Sequence, residues 1–67
     1  MKIIKVRDFD YEDTNIYINV AQIVTIEALM DGEEVGAQIE LTNGRKIYTV
    51  EKQKEIYDMI KKTENLF

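Results

Sequence analysis

The sequence predicts an α+β fold, a meander of four to five antiparallel strands with one C-terminal helix packed on one face. Three observations carry this. Apolar and polar residues alternate through much of the first fifty positions, the period of half-buried strands. Asn43-Gly44 stands between two such segments, residues 35–42 and 45–50, and is the strongest short-range hairpin signal because both residues tolerate the positive φ of a type I′ turn. From Glu51 the apolar period lengthens to about 3.6, that of an amphipathic helix.

Each element follows in order. Residues 2–7 are rich in β-branched side chains, with Ile4 and Val6 on one face and Ile3, Lys5 and Arg7 on the other. Residues 8–15 form a polar, acidic connection. Ile16, Ile18 and Val20 then alternate with Tyr17 and Asn19 in a second strand, and Ala21-Gln22 is a short break. In residues 23–30 the wholly apolar set Val24, Ile26, Ala28 and Met30 is the one expected to face inward. Asp31-Gly32-Glu33-Glu34 reads as a turn. Val35, Ala37, Ile39 and Leu41 form the clearest buried stripe, opposed by Gly36, Gln38, Glu40 and Thr42.

With Asn43 and Gly44 as the two loop residues, Thr42 pairs with Arg45, Leu41 with Lys46, Ile39 with Tyr48 and Ala37 with Val50. That register turns Ile47 outward, beside Gln38, Glu40, Arg45 and Thr49, unless a bulge turns it back. In the helix, Ile56, Met59, Ile60, Thr63 and Phe67 make the apolar stripe. Glu51 near the start and Lys61-Lys62 near the end complement the helix dipole, and Thr49 is the only nearby N-cap candidate.

Sixty-seven residues make one domain, near the size at which a single core barely offsets chain entropy. With neither Cys nor His, the chain lacks disulfides, thiolate nucleophiles, Cys-based zinc sites and the commonest general base. Self-association remains as the means of adding stability. One helix covers a four- or five-stranded sheet incompletely, so leftover apolar surface is expected to be buried against a second copy, by sheet-edge pairing or helix contacts. The formal charge of −4 disfavours nucleic acid as a partner. No apolar run spans a bilayer and no signal peptide opens the chain, so a soluble, cytoplasmic protein is expected, with no membrane partner.

Few residues suggest chemistry. Asp8, Asp10, Glu12 and Asp13 offer oxygen ligands, but their spacing lacks the glycine and distal glutamate of a calcium loop, and a solvated acidic loop is the expected reading. Gly32, Gly36 and Gly44 form no phosphate loop. Tyr17 and Tyr48 with Arg45 and Lys46 have the composition of a stacking-plus-charge platform for a nucleotide ligand; the competing reading places Tyr48 in the core and makes Arg45 and Lys46 hairpin solubilisers. No cofactor and no enzymatic activity are expected. The interaction or ligand candidates are therefore Tyr17, Asn43, Arg45, Lys46, Ile47 and Tyr48.

Ile16-Tyr17-Ile18-Asn19 leading into Ile23-Val24-Thr25-Ile26-Glu27, then Ile39-Glu40-Leu41-Thr42-Asn43-Gly44-Arg45-Lys46-Ile47-Tyr48-Thr49-Val50 and a short helix, resembles the small flagellar FlbD-like family. The likeness covers roughly residues 15–62, and its hairpin and core residues imply fold more than role. The acidic residues 8–14 and the longer turn at 31–36 depart from that family's pattern. A weaker similarity runs to the second half of LytTR DNA-binding domains, whose basic DNA-contacting loops this acidic chain does not match. The expected role is a non-catalytic interaction or regulatory protein that binds a protein partner through a sheet edge or outer face, as a homo-oligomer. The alternative is an inhibitor of the kind phages and mobile elements encode, which sequesters a nucleotide or blocks a host protein.

Overall fold

The computed structural model describes residues 1–64, the side chain of Glu64 excepted. Five antiparallel strands and one helix follow in the order β1 (Ile3–Arg7), β2 (Asn15–Asn19), β3 (Ile23–Asp31), β4 (Glu33–Leu41), β5 (Lys46–Thr49) and α1 (Gln53–Glu64), with a 3-10 turn at Val20–Gln22 between β2 and β3. The fold is α+β, as the alternation and its change of period predict.

The strands form two sheets, β1-β2 and β3-β4-β5. An isolated bridge between Asp8 and Thr49 stitches them together, flanked by Phe9 N–H donating to Tyr48 O at 2.9 Å and Val50 N–H donating to Arg7 O at 3.0 Å. Spatial order is therefore β2-β1-β5-β4-β3, and β2 and β3 are the two outer strands. Helix α1 crosses the inner face, its start beside Arg7 and its last turns beside Ile3 and Ile4.

The core is aliphatic. Ile4, Val6, Ile18, Ala37, Ile39, Ile47 and Ile56 are buried, with Ile16, Val20, Ile23, Ile26, Leu41, Met59 and Ile60 packed around them. β-Branched side chains suit this position because they fill a pleated surface with little rotamer freedom to lose. All five described aromatic side chains, Phe9, Tyr11, Tyr17, Tyr48 and Tyr57, lie at the surface instead. Phe67, assigned by its spacing to the helix stripe, lies outside the described residues.

Three expectations are corrected. The first is the β4–β5 register: Ile39 pairs with Ile47, Ala37 with Thr49, Gln38 with Tyr48 and Glu40 with Lys46. Asn43 has an ordinary negative φ and only Gly44, at φ 86°, is left-handed, so the loop is not type I′. Gly44 N–H donates to Leu41 O and Leu41 N–H donates to Arg45 O, both at 2.9 Å, which makes a three-residue loop built on a type I turn with a glycine bulge. One extra loop residue shifts the register by one and reverses every side chain of β5. Ile47 is buried, and Tyr48 faces out.

Second, β3 does not bury its whole even-numbered set. Ile26 and Ala28 sit on the core face opposite Ile39 and Ala37, but Val24 is the extra residue of a bulge between Ile23 and Thr25 and is 56% exposed. Met30 runs past the end of the core and is 62% exposed. Third, Thr49 does not cap the helix: it is fully buried, and its Oγ1 donates to Glu51 O at 2.7 Å. The helix begins at Gln53, and the caps are carboxylates. Glu55 Oε1 accepts from Lys52 N–H and Glu34 Oε2, reaching across from β4, accepts from Gln53 N–H, each at 3.0 Å.

Candidate interaction surface

The residues singled out in the sequence do not converge. Tyr17 is exposed on β2, opposite Lys5, on the sheet that does not contain Tyr48. Tyr48 is exposed on β5 beside Gln38. Asn43 serves the turn itself, its Oδ1 accepting from Arg45 N–H at 2.9 Å. Arg45 and Lys46 are exposed at the hairpin, with Lys46 opposite Glu40. Ile47 belongs to the core and is withdrawn from the candidates by its 4% exposure. Tyr17 and Tyr48 thus stand on separate strands, β2 and β5, with β1 between them.

The acidic connection is an organised loop. Asp8 Oδ2 accepts from Asp10 N–H at 3.0 Å and Tyr11 N–H at 2.9 Å, folding the chain back so that Asp8 N–H reaches Thr14 O. One carboxylate is thereby spent on the backbone. Among the described residues no group of three or more His, Cys, Asp or Glu is placed to hold a metal ion.

Glu51 and Arg7 join the helix approach to β1. Arg7 N–H donates to Oε1 at 2.9 Å and Arg7 Nε donates to Oε2 at 3.1 Å. Partial burial pushes the Glu51 carboxyl upward, but main-chain hydrogen bonds from Arg7 and from Glu51 itself, with the Arg7 guanidinium, outweigh it and hold the group below its ordinary value. This is structural chemistry: the pair fastens α1 to the sheet.

Of the two outer strands, β3 is the longer, and among the described residues no strand pairs with its outer edge. Leu41 N–H points to β5, so along regular β4 the odd residues Ala37 and Ile39 also direct their main-chain groups to β5, and Gln38 and Glu40 direct theirs to β3. Their β3 partners Glu27 and Thr25 are consequently the hydrogen-bonded ones, while Ile26, Ala28 and Met30 point their N–H and C=O groups away from the sheet. Ile26 O confirms this by accepting from Gln53 Nε2 at 2.8 Å, from the side on which no strand lies.

Beside that edge runs a groove lined by Ile26, Gln53, Lys54 and Tyr57. Gln53 and Tyr57 are four residues apart on α1 and so share a face. Lys61 Nζ sits 5.5 Å from the Tyr57 ring centroid and steadies its outer side. Open main-chain groups, an apolar groove and the exposed side chains of Val24, Met30 and Tyr57 therefore occur together. Alternation alone did not identify this surface, because it shows which face of a strand is apolar and not which strand ends the sheet. The available signal was Met30, an apolar residue directly before an Asp-Gly turn.

No helix of the described residues is long and apolar enough to cross a membrane. No family model, no curated protein and no solved structure matches the chain.

Proposed function

We propose that this chain is a small, non-catalytic interaction protein that binds a macromolecular partner, a second copy of itself included, by adding a strand to the free edge of β3. The observation that carries the reading is the outward N–H and C=O groups of Ala28 and Met30 on a nine-residue strand, which no strand among the described residues pairs. Long, uncovered edges are ordinarily blunted in proteins that stay alone, because main-chain groups in that array template another strand. Among the described residues, Ile26 O is covered by the side chain of Gln53.

The surface chemistry supports the same reading. Aromatic side chains are enriched where proteins meet, and this chain places every described one outside its core. The negative formal charge argues for a protein partner over a nucleic acid.

The test is a backbone block. Ala28→Pro removes an N–H that no ladder bond uses and is tolerated on an edge strand, so it should leave the far-ultraviolet circular dichroism unchanged. The wild-type chain should show a rising mass by light scattering between micromolar and millimolar concentration, and Ala28→Pro should remain monomeric. A wild-type chain that stays monomeric at millimolar concentration, or a folded Ala28→Pro that associates as well as wild type, overturns the reading.

A further inference from the structure

Two copies of this chain, we infer, pair antiparallel along β3 about a two-fold axis at Ala28, seating Met30 of each copy against Ile26 and Tyr57 of the other. This rests on the β3 edge being the binding surface and adds the occupant and its register.

Register arithmetic narrows the choice. In an antiparallel pair across the open edge, outward-directed residues must oppose outward-directed residues, so Ile26, Ala28 and Met30 face one another in some order. An axis at Glu27 would set the two Glu27 carboxylates directly opposite in a narrow pair, with Cα atoms about 4.5 Å apart, where like charges repel. An axis at Leu29 would place Met30 opposite Ala28 and leave the groove empty. An axis at Ala28 sets Glu27 opposite Leu29 and Ile26 opposite Met30, with no acid facing an acid.

That last pairing explains two exposures at once. Ile26, Ala28 and Met30 share one face of β3, the face on which α1 lies, because the second bulge adds its extra residue to β4 and leaves the alternation of β3 intact. The Met30 of a second copy therefore arrives opposite Ile26 on the helix side, where the groove lined by Ile26, Gln53, Lys54 and Tyr57 opens. An unbranched thioether adapts to such a groove and favours contact with an aromatic ring. By symmetry each chain contributes one Met30 and one groove, so the surface is self-complementary, as a two-fold interface must be. Ile26 O keeps a second lone pair for the N–H of the second copy's Met30 while Gln53 occupies the first.

Because the chain contains no cysteine, single cysteines report the register cleanly. With the axis at Ala28, the two residues at position 28 have Cα atoms about 5.5 Å apart, within disulfide range. Those at position 30 are offset by four residues along the pair, about 13 Å, beyond that range. Under mild oxidation, Ala28→Cys should convert to covalent dimer and Met30→Cys should not, and Met30→Asp should raise the dimer dissociation constant at least tenfold. Rapid cross-linking of Met30→Cys, or a dimer by light scattering in which Ala28→Cys fails to cross-link, overturns the register while sparing the edge. A chain monomeric at millimolar concentration overturns both.

Discussion

Ile39 stands directly opposite Ile47 across the β4–β5 ladder, and both side chains are sealed in the core. The next residue along β5, Tyr48, points to the other face. This alternation sets a sharp test. Ile47→Lys would bury an ammonium among Ile4, Val6, Ile39 and Ile56, a loss of about 4 kcal/mol or more against a total stability of roughly 3–10 kcal/mol for a domain of this size. The variant should be unfolded by circular dichroism at 25 °C, whereas Tyr48→Lys should melt cooperatively within a few degrees of wild type. A folded Ile47→Lys would restore the type I′ register.

The glycines make a second prediction. Gly44 holds φ 86° with open space where a side chain would project, so Gly44→Ala costs only backbone strain, about 1–2 kcal/mol. Asn43→Ala loses an exposed turn hydrogen bond, about 0.5–1 kcal/mol. Gly36 has no unusual φ, yet a Cβ there would collide with the Thr49 carbonyl oxygen and press on the Phe9 ring. Because that oxygen belongs to backbone, Gly36→Ala should be the most damaging of the three in chemical denaturation. Equal losses at positions 43 and 44 would contradict the three-residue loop.

The sequence carried much of this fold in its alternation. Ile4, Val6, Ile18, Ala37, Ile39 and Ile56 are buried where their spacing places them, because period alone decides which face of an element is apolar. The register of β5 was not legible, since Asn-Gly serves a two-residue loop and a three-residue loop equally well and the difference of one residue decides whether Ile47 or Tyr48 is inside. Val24 and Met30 were misplaced for a related reason: a bulge and the physical end of the core both interrupt a pattern that continues unbroken in the letters. The β3 edge depended on which strands become neighbours, and the Asp8–Thr49 bridge that orders the two sheets joins residues forty-one positions apart.

Helix α1 depends on a carboxylate from another element. Glu34 Oε2 accepts from the N–H of Gln53, an amide at the helix start that has no partner within the helix, and places negative charge at the positive end of the dipole. Glu34→Ala should cost about 1 kcal/mol and lower Tm by about 4–8 °C. Glu34→Gln keeps an acceptor and should recover part of that loss. If Glu34→Ala melts with wild type in a thermal scan, the cap contributes nothing to stability.

The Arg7–Glu51 pair gives the acid limb of stability a defined origin. Glu51 has a folded-state value lowered from the ordinary 4.5, so the folded state releases this proton more readily than the unfolded chain does. For a depressed carboxyl the stabilisation is fully present above the unfolded value and is lost as pH falls through the folded one. Between pH 7 and about pH 5.5 the pair's contribution should be constant, and below pH 4.5 it should decline until Glu51 is protonated in both states. Arg7 is half exposed, which screens the charge interaction, so most of the effect belongs to the main-chain hydrogen bond from Arg7 N–H. Glu51→Gln should therefore be less stable than wild type at pH 7 and should converge on it as pH falls below 4.5. Arg7→Ala, which keeps the main-chain donor, should retain the larger part of the pH-dependent difference. Parallel stability curves for wild type and Glu51→Gln across pH 7 to 3, measured by urea denaturation, would show that Glu51 contributes no acid sensitivity.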